Sequence, residues 1–166
     1  RSVDDDSFVF DCIGYVHRNK FYDNSNLSLY SKSKFSYSYE NGRLNLHIGK
    51  DSELFNQISN LEFRILEKFR KDYLPQESHV FEMCSLIRNE KSVIIRLGKS
   101  DKELDFISVN ENGYRYSNLD NRSFIEILDR NIEAEIFFKI KCILVMPYKD
   151  RYLYGLKIKV DSLKFI

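Results

Sequence analysis

Tryptophan is absent from this chain, and proline occurs only twice, glycine six times and histidine three times. So few prolines and glycines leave no material for a long flexible linker, and a string of tethered domains is not expected. No apolar run is long enough for a membrane helix, and no signal or transit segment is visible. The three cysteines, Cys12, Cys84 and Cys142, are odd in number, widely spaced and set within apolar runs. That pattern fits buried free thiols in a reducing compartment and not a disulfide framework. An excess of one charge is also missing. The net charge is +1, so overall charge does not announce a polyanionic partner.

Enzyme signatures are missing as well. The chain has no Walker-type G-x-x-x-x-G-K, no G-x-G-x-x-G and no G-x-S-x-G. His17, His47 and His79 lie far apart and lack metal-ligand spacing with the cysteines. Asp4, Asp5 and Asp6 form a run with no fixed scaffold to present them. Glu133 and Glu135 share one strand face and read as solvated. No catalytic residue, cofactor or metal is expected.

What is present is aromatic and β-patterned. Aromatics make up 14% of the residues, all Phe or Tyr. Ile132 to Met146 reads I-E-A-E-I-F-F-K-I-K-C-I-L-V-M, with every even position apolar, the signature of a strand with one buried face. Tyr154, Leu156, Ile158 and Val160 then alternate with Gly155, Lys157, Lys159 and Asp161. Together they predict a long hairpin with one greasy and one basic face. If both apolar faces point the same way, the loop is Lys149-Asp150-Arg151, closed by Tyr148 opposite Tyr152. This register places Lys139 opposite Asp161, a neutralising pair, and Lys141 opposite Lys159. Like charges directly across a ladder are destabilising unless an anion lies between them.

Two other hairpins carry Asn-Gly, the strongest short turn signal. In Leu27–Gly49, pairing Glu40 with Arg43 sets Tyr39 opposite Leu44, Tyr37 opposite Leu46 and Phe35 opposite Ile48. F-S-Y-S-Y could stack nucleic-acid bases, but sharing a face with the aliphatic residues favours core. Leu104–Ser117 turns at Asn112-Gly113. His79–Leu97 reads as two strands joined at Asn89-Glu90, and Phe8–His17 as a strand after a fraying segment, residues 1–7. Asp51–Tyr73 is a helix capped by Asp51 or Ser52, with Leu54, Phe55, Ile58, Leu61, Ile65, Leu66 and Phe69 on its core stripe. Asn121 is expected to cap a short helix, Arg122–Asp129, buried through Phe124, Ile125 and Leu128. No domain boundary stands out, so residues 1–166 read as one domain.

Charge is unevenly placed. Ile136–Val160 carries six Lys or Arg against Asp150, whereas Ser100–Glu135 carries nine acids and four bases. A polarised surface and an uneven solvated one both fit this distribution.

The order of elements, with D-F-I-S-V-N-E-N-G-Y-R-Y, then N-R-S-F-I-E-I-L-D-R-N-I-E-A-E-I-F-F-K-I-K and finally Y-L-Y-G-L-K-I-K-V-D-S-L-K-F, resembles the OB-fold single-stranded DNA-binding proteins of large DNA viruses and T7-like phages. The resemblance covers roughly Phe81 to Phe165. It implies a mainly β (α+β) fold, an OB-like barrel elaborated by an additional hairpin and two helices. It implies stoichiometric coating of single-stranded DNA, with RNA as the alternative ligand, in viral replication, recombination or repair. Replication proteins and further copies of the chain are the implied protein partners, with no membrane partner. The implied location is the host nucleus or a cytoplasmic viral factory. The acidic tail typical of such proteins is not seen here. Lys141, Lys157, Lys159 and Arg151, then Arg96 and Lys99, are the expected phosphate contacts, and Tyr148 and Tyr152 the expected stacking residues. Each has a plainer reading, as a solubility device on a strand or a hairpin-closing tyrosine. The alternative function is a non-enzymatic viral protein-interaction or accessory module.

Overall fold

The structure, a computed structural model, describes residues 2–4, 7–11, 28–74, 80–98, 104 and 106–166. Among the described residues the fold is mainly β, with two helices long enough to describe, and its sheets are not closed into a barrel. An eight-stranded sheet has β1 (Ser2–Asp4), β2 (Ser7–Asp11), β11 (Glu133–Tyr148), β12 (Arg151–Phe165), β9 (Ser108–Glu111) and β10 (Tyr114–Tyr116) in that spatial order. On it, β3 (Ser28–Lys34) also pairs with β11, and β6 (Phe81–Met83) with β12. A four-stranded sheet orders β4 (Ser36–Glu40), β5 (Arg43–Gly49), β8 (Ser92–Gly98) and β7 (Ile87–Arg88). The opening residues, expected to fray, form β1 against β2. The later part of the expected Phe8–His17 strand, with Gly14, lies outside the described residues.

Turn chemistry fixed the short hairpins as anticipated. Glu40 pairs with Arg43, Tyr39 with Leu44 and Tyr37 with Leu46. The turn residues Asn41 and Gly42 both have positive φ, as do Asn112 and Gly113 between β9 and β10. Asn89 and Glu90 turn β7 into β8 in the same left-handed region. The Leu27–Gly49 segment is not a simple hairpin, however. It changes sheet at Phe35, so that β3 pairs with β11 while β4 pairs with β5. As an edge strand, β4 leaves Tyr37 half-buried and Tyr39 exposed, and neither ring is core. They serve a helix instead: the Tyr37 hydroxyl donates to Asp129, and Tyr39 accepts from Asn121 at 3.2 Å.

Helix α1 spans Glu53–Tyr73, and Ser52 caps it by accepting from the Phe55 N–H at 3.1 Å. The expected stripe is buried throughout. Helix α2 spans Asn121–Asp129. Its cap is Asp120, one residue before the expected Asn121, accepting from the Ser123 N–H at 2.7 Å. Ile127 is buried beside Phe124 and Leu128, and Ile125 is only half-buried.

The long hairpin departs most from expectation. Its turn is Lys149-Asp150, one residue shorter than anticipated. Its inward parity also changes. Ala134, Ile136, Phe138 and Cys142 are buried at even positions, then Ile143 and Val145 at odd ones. On β12, Tyr154, Leu156 and Val160 are buried, then Leu163 and Phe165. One extra residue in a ladder reverses its alternation. The neighbours change with it: β11 pairs with β3 through Glu133–Lys139 and with β2 through Cys142–Val145. Similarly, β12 runs parallel to β6 at Tyr152–Tyr154 and to β9 at Ser162–Phe165.

By contacts the chain divides into two compact units, each drawing on both long strands. The first comprises Arg1–Leu27, Ile58–Leu86 and Ile140–Ile158. Its core includes Ile65, Leu66, Phe69, Ile143, Val145 and Leu156, with the Phe69 and Tyr154 rings 6.0 Å apart. Here the Cys84 N–H donates to the Tyr154 carbonyl at 2.7 Å. A Cβ on Gly155 would lie 2.4 Å from the Cys84 carbonyl oxygen, so only glycine lets the two backbones pass this closely. The second unit comprises Ser28–Gln57, Ile87–Lys139 and Lys159–Ile166. Its core includes Leu44, Leu46, Ile48, Ile95, Phe124 and Phe138, all essentially inaccessible. Burying each such side chain contributes about 1.5–3 kcal/mol.

Candidate nucleic-acid interface

The basic side chains of β11 and β12 fall into two groups. The first is neutralised. Lys139 Nζ lies 3.7 Å from Asp161, the pair anticipated from the pattern, and Lys164 Nζ lies 3.9 Å from Glu135. Arg151 contacts Glu82 at 2.6 Å and Asp150 at 3.5 Å, which holds its guanidinium in the charged form and occupies its donors. The second group is Lys141, Lys157 and Lys159. All three are exposed, and no carboxylate among the described residues lies within ion-pair distance. Lys141 and Lys157 belong to the first unit and Lys159 to the second. The shorter turn removes the reason for setting Lys141 opposite Lys159.

The expected stacking residues differ in availability. Tyr148 is 50% exposed, with Lys149 Nζ 5.2 Å from its ring centroid. Tyr152 is half-buried, and its ring already stacks on Phe81 at 5.3 Å and 20°. Arg96 is exposed on β8 of the four-stranded sheet, where its backbone pairs with Asn45. Lys99 lies outside the described residues.

One side chain here was missed. Phe106, just before β9, is 70% exposed, and Lys159 Nζ sits 5.6 Å from its ring centroid. Both belong to the second unit. In the sequence, Phe106 opens an apolar-looking run, D-F-I-S-V, and nothing there separates an outward ring from a core one.

Two buried carboxylates were also missed. Glu111 on β9 receives Arg130 through Nε at 2.9 Å and Nη2 at 2.7 Å, and Asn131 Nδ2 at 2.6 Å. The Tyr116 hydroxyl donates to the same carboxylate at 2.9 Å. The guanidinium holds the Glu111 pKa down to about 2. Glu62 on α1 accepts the Ser85 hydroxyl at 2.5 Å and the Leu86 N–H at 2.7 Å, and burial pushes its pKa up. Both groups are fully engaged in holding loops and hairpins, which suits scaffolding and offers no free base.

Cys84 is a half-buried free thiol, Cys142 is buried, and Cys12 lies outside the described residues. Among the described residues no group of three His, Cys, Asp or Glu side chains could hold a metal ion, and no helix is long and apolar enough to cross a membrane. The chain matches no protein-family model, no curated protein and no solved structure.

Proposed function

We propose that this protein binds single-stranded DNA with little sequence preference, as a stoichiometric coating protein in viral DNA replication, recombination or repair. In this reading the long hairpin is the closing edge of an OB-like sheet system left open. The supporting observation is the set of three exposed lysines, Lys141, Lys157 and Lys159, without carboxylate partners among the described residues, on strands where neighbouring bases are paired. A strand that is coated needs no single cleft, because phosphates recur along it and each lysine can neutralise its own. Tyr148 offers a ring at the hairpin end, while Arg151 and Tyr152 are secondary because their partners must first be displaced.

Neutralising phosphates releases counterions, with a slope of roughly −0.7 per contact on single strands. Three contacts give a slope of roughly −2, so affinity for fluorescent oligo-dT should fall roughly twentyfold over a fourfold rise in salt. Lys141→Glu with Lys159→Glu should weaken binding and flatten that slope. No binding by the wild type at low salt would sink the reading. Unchanged affinity in the double variant would remove these lysines from the site.

A second reading, a non-enzymatic protein-interaction module, draws on exposed apolar side chains in the first unit, Met83, Met146 and Tyr148. It predicts no oligonucleotide binding at any salt concentration.

A further inference from the structure

The placing of an exposed ring beside an ammonium carries the site one step further. We infer that Phe106 is the base-stacking residue of the second unit, and that Lys159 takes the phosphate beside the stacked base. This rests on the single-stranded DNA reading and deepens it.

Burying Phe106 would remove about 25 cal/mol per Å² of apolar surface from water, yet the fold leaves the ring 70% exposed. Its position accounts for that. Ser108 pairs with Ser162, so Phe106 stands where β9 enters the sheet alongside β12, before the ladder begins. Ile107 and Val109 supply the buried side chains of this segment, and Phe106 adds nothing to the core. Lys159 reaches one side of the ring, at 5.6 Å from the centroid. A cation at that distance is attracted by the ring quadrupole and is held near it. Asp161, two residues along β12, is engaged by Lys139. Among the described residues, no carboxylate draws the ammonium off. A ring with an open face beside a positive charge matches the repeat of single-stranded nucleic acid, a π-face next to a phosphate. Neither Tyr148 nor Tyr152 offers this combination with a strand lysine that lacks a carboxylate partner.

The test compares wild type, Phe106→Ala, Phe106→Tyr and Lys159→Glu against two probes. One is oligo-dT, and the other is an oligonucleotide of equal length whose sugars carry no bases. Phe106→Ala should lose roughly five- to 150-fold in affinity for oligo-dT, with the salt slope unchanged and no loss on the base-free strand. Phe106→Tyr should retain affinity. Lys159→Glu should weaken binding to both probes and reduce the slope by roughly 0.7. The melting temperature of Phe106→Ala should match wild type, since the ring supports no core. If Phe106→Ala binds oligo-dT as wild type does, or loses equally on both probes, the stacking role is overturned while the DNA reading stands. If wild type binds neither probe at low salt, both fall together.

Discussion

Glu62 and Glu111 are both buried carboxylates, one in each unit, and their surroundings drive them in opposite directions. Glu62 interrupts the apolar stripe of α1 and, among the described residues, meets neutral donors, the Ser85 hydroxyl and the Leu86 N–H. Desolvation outweighs these bonds, and its pKa rises. Glu111 meets a two-pronged guanidinium, an amide and a phenol, and its pKa falls to about 2. The lesson is that burial alone does not set a carboxylate's state; the charge of its donors does. In the first unit an acid fastens a crossing loop and carries an electrostatic cost at neutral pH. In the second an ion pair ties the end of α2 to the β9–β10 hairpin.

The largest effect should come from breaking that ion pair. Arg130→Met leaves Glu111 charged in a shielded place, where removing one partner costs more than the pair contributes. Its loss of melting temperature should be the greatest of this set, and a drop no larger than that of Glu62→Leu would upset the comparison. Glu62→Leu comes next. It strands the Leu86 N–H and should cost about 1–3 kcal/mol, read from denaturant midpoints.

The finest test separates the two acids by sign. A carboxyl with a depressed folded pKa stabilises above its ordinary value of 4.5, and that contribution is lost as pH falls toward 2. One with a raised pKa contributes fully below 4.5 and loses it as pH rises through the folded value. Wild type should therefore lose its advantage over Glu111→Gln between pH 4.5 and 2. Against Glu62→Gln it should instead gain as pH falls toward 4.5, with a difference of less than about 1 kcal/mol below that pH. Melting curves over pH for the three proteins decide it; slopes of the same sign would mean the two sites do not differ as described.

Much of the local structure was readable from residue types. Asn41-Gly42 and Asn112-Gly113 set their registers because so few residues accept positive φ. Ser52 marked a helix start, and the α1 stripe marked its buried face. The Lys139–Asp161 pair survived even though the turn did not. The parity change in β11 was hidden because Cys142, Ile143, Leu144 and Val145 are all apolar, so alternation has nothing to alternate against. The sheet change at Phe35 and the parallel pairing of β6 with β12 rest on distant partners that no local pattern names. Of the candidate site, the basic side chains were legible as residues but, Lys139 apart, not as paired or unpaired. That distinction depends on Glu82 meeting Arg151, 69 positions away. Phe106 was unreadable for the same reason, since exposure is decided by what fails to cover it.

Gly155 carries a different kind of information. In the sequence it is one small residue among alternating ones, and its backbone angles ask nothing unusual of it. Yet every other amino acid begins its side chain with the same carbon, and that carbon would sit 2.4 Å from a carbonyl oxygen. Polarity, charge and shape are all irrelevant at this position. Its alphabet has one letter, and alanine should be refused there as firmly as tryptophan.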